Sequence, residues 1–207
     1  MLTTKTVNQF LDEVASNSPA PGGGSVSALA GSLGAALTSM VCRLTIGKKK
    51  YADVQSKMES VLKKSEDLRA KLTSVIDEDT VAFGKVMAAF GMAKESEDQK
   101  TQRNKAIQEA TKTAILVPLK LMSLCEEGLG LARIVAEKGN KNSLSDAGVS
   151  LLLLQAAANG AALNVRINLP GLEDQKFRDE AYEQVTNTSK RIDSTVAEVM
   201  PSLVAKL

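Results

Sequence analysis

The sequence from Ser25 to Ile46 reads SVSALAGSLGAALTSMVCRLTI and is the most informative stretch of the chain for its fold class. The segment is apolar enough to raise the question of a membrane span, which needs about 20 predominantly apolar residues. It is nevertheless built mainly from small residues rather than from Leu and Ile, and it carries Arg43. An apolar helix of this kind is typical of one that is buried inside a bundle or at a subunit interface. We therefore predict a bundle helix here and no membrane partner.

On either side of this segment, apolar residues recur with the three- and four-residue spacing of amphipathic helices, and no run predicts a strand. Helices are predicted over residues 7–14, 25–46, 51–92, 99–128 with a kink at Pro118 and continuing to 138, 145–167 and 173–199. Such lengths exceed the usual average of about 12 residues. The sequence thus predicts one all-α domain, 1–207, an elongated bundle of long antiparallel helices that dimerises to cover its apolar faces.

The composition argues against several kinds of partner. A net charge of +2 creates no field that would attract nucleic acid, and aromatic residues make up only 3% of the chain, too few for stacking on single strands. The N-terminus has early acidic residues and lacks the apolar core of a signal peptide. Cys42 and Cys125 lie in apolar helical patterns, which favours buried free thiols. These features predict a cytoplasmic protein.

The chain contains no histidine, and this restricts its chemistry more than any other feature. Histidine is the commonest general base and the commonest metal ligand. Acid–base catalysis must therefore come from Asp, Glu, Lys, Tyr, Cys or bound water. With no histidine and two cysteines, a structural zinc site is not expected, and we predict neither a metal nor a cofactor.

The clearest break in the chain is the glycine-rich turn Pro21-Gly22-Gly23-Gly24-Ser25, which leads into the small-residue helix. Three glycines allow backbone N–H groups to approach a ligand closely, and a helix N-terminus favours an anion or a polar ring edge. The alternative is a flexible turn followed by a helix that Ser25 caps.

Two groups of carboxylates are candidates for catalysis. Asp77, Glu78 and Asp79 are adjacent on a predicted helix, so that they point in different directions. Asp79 follows Ile76 by three residues and precedes Phe83 by four, which places it near the apolar face. Asp146 lies at a predicted helix start. The alternatives are solvated acids in the first group and an ordinary N-cap in the second.

Polar residues on the last apolar helix and a basic run complete the candidates. Asn164 and Asn168 are four residues apart and share a helix face, where they could bond one another, the backbone or a ligand. Lys48-Lys49-Lys50 follows the small-residue helix. It is either a solvated helix end or a site for an anionic substrate.

Six short motifs occur in an order and spacing that resemble the cyclodeaminase/methenyltetrahydrofolate cyclohydrolase family. They are PAPGGGS (19–25), LTIGKKKY (44–51), IDED (76–79), VPL (117–119), SDAGV (145–149) and LNVRIN (163–168). The resemblance implies a dimeric all-helical enzyme whose folate site includes the glycine-rich turn. It also implies that the site is formed by Gly22, Gly23, Gly24, Ser25, Asn164 and Asn168, with Asp79, Asp146 and Lys48 as the catalytic candidates.

The resemblance implies hydrolysis of 5,10-methenyltetrahydrofolate to 10-formyltetrahydrofolate, a reaction that needs no histidine. The methenyl group carries a delocalised cation, which a carboxylate can stabilise while it deprotonates the attacking water. One alternative is a formiminotetrahydrofolate cyclodeaminase, which expels ammonia and for which Lys48 or a second acid could donate a proton. The other is a non-catalytic folate-binding or scaffold protein. The substrate in the first two cases is a folate, with or without a polyglutamate tail that the lysines would bind.

Overall fold

The computed structural model describes every residue from 1 to 207 and contains only helical secondary structure. Its six helices are α1 (Val7–Val14), α2 (Gly23–Thr45), α3 (Gln55–Phe90), α4 (Glu97–Lys138), α5 (Leu144–Asn168) and α6 (Gln175–Val204). With 42 residues, α4 spans about 63 Å. The predicted all-α fold of long helices is confirmed.

The bundle is organised around α2, which packs against α3, α4 and α5. The helix α4 also contacts α3, α5 and α6. The helices α2 and α5 run antiparallel, since Gly23 lies beside Asn164 whereas Thr38, further along α2, lies beside Ser150. A single large cluster of buried apolar residues extends through all the long helices.

Small residues allow α2 and α5 to approach closely. A Cβ at Gly34 would lie 2.8 Å from Cγ of Leu154, so only glycine fits there. The hydroxyls of Thr38 and Ser150 are 2.9 Å apart, and the Ser150 hydroxyl also donates to the Gly34 carbonyl at 2.7 Å. Because these buried polar groups have partners, α2 can be buried without unpaired hydroxyls. The prediction of a bundle helix is confirmed for this face of α2.

The outer faces of α2 and α5 are exposed. Leu33 on α2 is 50% exposed, and Leu163 on α5 is 65% exposed. By length and composition alone, α2 and the segment 141–171 containing α5 could each cross a membrane, although about half of each is buried in the bundle. Of the two interpretations of the small-residue helix, burial inside the bundle holds for only one face of α2, and a position at a subunit interface stays a prediction.

Several helix boundaries differ from the sequence-based expectation. α2 begins two residues earlier, at Gly23, and Gly22 is its N-cap. Ser25 is therefore not the cap, and its buried hydroxyl points towards α3 instead. α5 begins at Leu144 after Ser143, which places Asp146 within its first turn.

α4 continues through Pro118 as one helix. Proline has no N–H group, so the carbonyl of Ala114 loses its usual helical donor. Pro118 is buried, and α4 packs against helices on several sides. This packing holds the two halves of α4 in one helix despite the missing hydrogen bond.

Candidate active site

A cavity of about 220 Å³ lies at the end of the bundle where α2 begins. The loop before α2, the first turn of α2, the middle of α3, α4 and the end of α5 all contribute to its wall. The lining residues are Pro19, Ala20, Gly22, Gly23, Gly24, Asp79, Ala82, Phe83, Val86, Ala114, Asn164 and Asn168. The glycine-rich turn, one carboxylate and two amides, identified separately in the sequence, meet here.

Asp79 supplies the only charged side chain of this lining. The buried Ser25 hydroxyl lies 3.0 Å from Asp79 Oδ2 and also 3.0 Å from the Ile76 carbonyl, and can donate to either. Burial raises the pKa of Asp79 above its ordinary value, and hydrogen bonds from Ser25 only partly oppose the rise. The carboxylate is thus a stronger base than a solvated aspartate.

Gly24 provides the space that Asp79 occupies. A Cβ built on Gly24 would overlap the Asp79 carboxylate, so no other residue fits without moving that group. Asp79 consequently lies directly on the first turn of α2, where unpaired backbone N–H groups and the helix dipole stabilise an anion. This contact also explains why α2 begins without a side-chain cap of its own.

The two neighbouring acids have structural partners outside the cavity. Asp77 accepts hydrogen bonds from the Leu2 backbone at 2.5 Å and from the Thr3 hydroxyl at 2.8 Å. Glu78 forms an ion pair with Lys120 at 2.8 Å. Burial raises the pKa of each, but these partners outweigh it and hold both pKa values below the ordinary range. Of the three adjacent acids, only Asp79 is free to act on a ligand.

Asn164 and Asn168 line the cavity from α5. Each side-chain amide donates to the carbonyl four residues earlier, Asn164 to Gly160 and Asn168 to Asn164, both at 2.8 Å. These bonds fix the amides on the helix, and each Oδ1 keeps its acceptor capacity. The two residues do not bond one another through their side chains, so the cavity wall presents two separate polar groups.

The apolar part of the wall was not identified as a site from the sequence. It consists of Ala82, Phe83 and Val86 on α3 and Ala114 on α4. A signal was present for Phe83, because it lies one helical turn after Asp79 and shares its face. Pro118 also deprives the Ala114 carbonyl of its usual helical donor.

Lys48 and Asp146 lie far from this cavity within one chain. Lys48 follows the C-terminal end of α2, a helix that is about 34 Å long and begins at the cavity. Asp146 lies 18 residues before Asn164 on α5, a separation of about 27 Å. The structure therefore does not join either residue to Asp79 in the same subunit.

No group of three or more Cys, Asp or Glu side chains that could hold a metal ion occurs in the chain. The prediction that catalysis involves no metal stays a prediction.

Residues 6–187 match the family model described as formiminotransferase-cyclodeaminase. The chain belongs to this family. Family membership confirms the resemblance drawn from the six motifs. The match spans the glycine-rich turn, Asp79 and both asparagines of the cavity.

Relatives within the formiminotransferase-cyclodeaminase family include proteins of two kinds. A methenyltetrahydrofolate cyclohydrolase of Methylorubrum extorquens is 49% identical over 185 residues, covering 89% of each chain. A formimidoyltransferase-cyclodeaminase of Rattus norvegicus is 33% identical over 99% of this chain, which spans 38% of that larger protein. The crystal structure of formiminotetrahydrofolate cyclodeaminase from Thermotoga maritima superposes with a TM-score of 0.89 at 32% identity, covering 99% of this chain and 98% of the other.

Proposed function

We propose that the chain is a methenyltetrahydrofolate cyclohydrolase, which hydrolyses 5,10-methenyltetrahydrofolate to 10-formyltetrahydrofolate. One observation carries the proposal: a single carboxylate, Asp79, lies in an otherwise uncharged cavity, with a pKa that burial raises. The substrate presents a delocalised cation at the reacting carbon, and a desolvated carboxylate complements that charge. The 49% identity to a cyclohydrolase of matching length supports the same reaction.

The proposed reaction adds one water molecule. Asp79 accepts a proton from water as the water oxygen forms a bond with the methenyl carbon, which neutralises the cation. The C–N5 bond of the resulting adduct then breaks, its electron pair goes to N5, and Asp79 returns the proton to N5. The adduct hydroxyl becomes the carbonyl oxygen of the formyl group on N10 and releases its proton to water. The net reaction converts the methenyl cation and one water molecule into the formyl product and one proton, so atoms and charge balance without an oxidant or a reductant.

Other residues of the cavity position the substrate. Phe83 and Val86 form an apolar wall suited to the flat ring system of a folate. Asn164 and Asn168 offer amide oxygens to ring N–H groups. These groups orient the methenyl carbon towards Asp79, so they act on the rate by fixing geometry.

Formiminotetrahydrofolate cyclodeamination is the second candidate, favoured by the structural similarity to the Thermotoga maritima cyclodeaminase. In that reaction N10 attacks the formimino carbon and ammonia departs after it gains a proton. A carboxyl group with a raised pKa can carry that proton. The same cavity can therefore serve both reactions, and the assay must separate them.

We further propose that the protein works as a cytoplasmic homodimer that needs no metal or other cofactor and binds neither nucleic acid nor a membrane. The exposed apolar faces of α2 and α5 support dimerisation. The two buried free cysteines suit a reducing compartment. The near-neutral net charge gives no reason to expect a polyanionic partner. A polyglutamylated folate is the form that the exposed lysines at 48–50 would favour.

The test is to follow the absorbance of methenyltetrahydrofolate with the purified chain above the uncatalysed rate, and to measure ammonia from formiminotetrahydrofolate in parallel. Loss of the methenyl absorbance without ammonia release from the formimino substrate supports the cyclohydrolase. Appearance of that absorbance with ammonia supports the cyclodeaminase. Inactivity on both substrates refutes the proposal and leaves a folate-binding or scaffold protein.

A further inference from the structure

The outer faces of α2 and α5 each carry an apolar stripe with a regular spacing. Successive members are separated by four, three, four, three and four residues, the pattern of a coiled-coil seam. On α2 the members are Val26, Ala30, Leu33, Leu37, Met40 and Leu44, and on α5 they are Val149, Leu153, Ala156, Gly160, Leu163 and Ile167. All of them are exposed or only partly buried in one chain. We call these twelve residues the outer stripe.

The outer stripe is large enough for a stable dimer. Two neighbouring helices about 35 Å long and about 10 Å apart present a face of roughly 700 Å². Stable protein interfaces bury about 600–1,000 Å² on each partner. The 3-4 spacing also specifies helix packing against a partner rather than general contact with solvent. A second copy of the chain is therefore the occupant that this surface fits.

The Asp79 cavity lacks what a folate requires at its other end. The substrate ends in glutamate carboxylates, but the cavity contains no cation. Its volume of about 220 Å³ also lies below the roughly 300 Å³ at which pockets for ligands of this size begin. Part of the substrate must therefore extend out of the cavity, towards positive charge that this end of the subunit does not provide in its wall.

Unpaired positive charge is concentrated at the opposite end of α2. Lys48, Lys49 and Lys50 are exposed, and none forms an ion pair. Lys138, Lys141 and Lys206 line a second cavity nearby, together with Tyr51. In one subunit this basic end is about 34 Å from the substrate cavity, farther than a folate with a single glutamate extends.

Two-fold symmetry can bring the two ends together. A C2 axis that lies in the interface and crosses the helices places α2 antiparallel to the partner's α2. Along α2 the spacing of the stripe reads the same in both directions, with its midpoint between Leu33 and Leu37. Reversal about that midpoint pairs Leu33 with the partner's Leu37 and Val26 with the partner's Leu44. It also carries the partner's Lys48 to the level of Gly22, at the cavity.

We infer that the active site is completed across this dimer, with residues 48–50 of one subunit binding the carboxylates of a folate held in the Asp79 cavity of the other. This inference rests on the proposed function for the identity of the ligand. It adds to the proposed function by assigning residues 48–50 to the partner's site.

The test uses two variants that are each defective as homodimers. Asp79→Asn removes the base, and the triple change Lys48→Ala, Lys49→Ala and Lys50→Ala removes the basic segment. We expect the triple variant to lose at least tenfold in kcat/KM. A purified heterodimer of the two variants contains one site with Asp79 and the partner's lysines both intact. Its activity should therefore be about half that of the wild type, although each parent is impaired.

Three outcomes would overturn the inference. If the lysines act within their own subunit, the heterodimer will be no more active than its parents. If the lysines have no role, the triple variant will keep its full activity. A matched triple change on α3, at Lys57, Lys63 and Lys64, removes the same charge elsewhere and should leave kcat/KM unchanged. The third contrary result is that the wild-type chain is monomeric by light scattering, whether or not it binds lipid vesicles.

A readout independent of catalysis separates failure of this inference from failure of the proposed function. A heterodimer of Lys48→Cys and Ala20→Cys chains should form an interchain disulfide on mild oxidation, because the inference places these two positions close together. The two native thiols are buried and should not compete in the reaction. Pairing Lys57→Cys with Ala20→Cys should not. If the cysteine variants cross-link but the wild type does not turn over the substrate, the proposed dimer stands and the folate is wrong as its ligand. If the wild type turns over the substrate but the cysteine variants do not cross-link, the proposed arrangement of the subunits is wrong.

Discussion

Substituting Gly24 with alanine tests the contact on which the proposed catalysis depends. The added Cβ would lie 2.6 Å from Asp79 Oδ2 and closer still to Oδ1, whereas real Cβ contacts below 3.0 Å are essentially never observed. Backbone on the α2 side cannot yield easily, so the carboxylate must withdraw by on the order of 1 Å. A displacement of this size can reduce the rate about 100-fold. We expect that loss in kcat, with a smaller effect on KM.

The same substitution should change stability much less than activity. Overpacking costs about 1–3 kcal/mol, and replacing a helical glycine by alanine returns about 0.5–1 kcal/mol. The expected net loss is about 1 kcal/mol, equivalent to roughly 2–4 °C in Tm for a chain of this size. Steady-state kinetics on methenyltetrahydrofolate and a thermal melt followed by circular dichroism measure the two effects separately.

Gly84→Ala is the matched control. Gly84 lies on α3, a little more than one turn beyond Asp79, and a Cβ there would meet no atom within 4 Å. This variant should keep the wild-type kcat and gain about 0.5–1 kcal/mol of stability. A folded Gly24→Ala protein with the wild-type kcat would refute the reasoning, because Asp79 would then work equally well from another position.

Three further predictions concern groups buried near the site or in the core. Asp79→Asn should lower kcat by roughly 100-fold or more in the absorbance assay, yet raise Tm at neutral pH because a desolvated charge is removed. In the wild type, kcat/KM should fall about tenfold per pH unit below the raised pKa of Asp79 in a pH–rate profile, and Asp79→Asn should lack that limb. Burial raises the pKa of Cys42 to about 11 and that of Cys125 to about 12, so neither should react with a thiol reagent at pH 8 until the chain unfolds, as counting of labelled thiols by mass spectrometry would show.

The effect of Asp79 on stability has a definite sign. Its folded-state pKa is raised, so the folded state binds the proton more tightly than the unfolded state does. Stability from this group is greatest below the unfolded pKa and is lost as pH rises through the folded pKa. Above that pH the protein carries the full cost of a buried charge. The asparagine variant avoids this cost, which is the reason for its expected gain in Tm.

Local periodicity predicted the helices. For Asp79, the spacing from Ile76 and Phe83 indicated a position near the apolar face but left a solvated acid as the alternative, and the structure puts it in the cavity. The start of α2 could not be predicted in this way. Its first turn is stabilised by contact with Asp79, a residue more than 50 positions further along the chain, so a local rule assigned the cap to Ser25 instead.

The sequence identified Lys48 and Asp146 as site residues but could not indicate where they lie relative to Asp79. Motif order carries no information on distance, and antiparallel packing of α2 and α5 puts these two residues at the end of the bundle away from the cavity. When a helix is apolar on both faces, its sequence also does not show which face packs in the core. One face of α2 packs in the core, whereas the other is open in a single chain and needs a second partner.

Separating the lysines from Asp79 within one subunit has a chemical advantage. A lysine beside Asp79 would stabilise its charged form and lower its pKa, which would weaken the base and compete with the methenyl cation for the carboxylate. A folate nevertheless requires opposite charges at its two ends, a carboxylate near the methenyl carbon and cations near the glutamate. Supplying the cations from the partner's Lys48 segment meets both needs, because the reacting end keeps one buried carboxylate while the basic segment contacts only the distant end of the substrate. Dimerisation and catalysis would then depend on the same two helices.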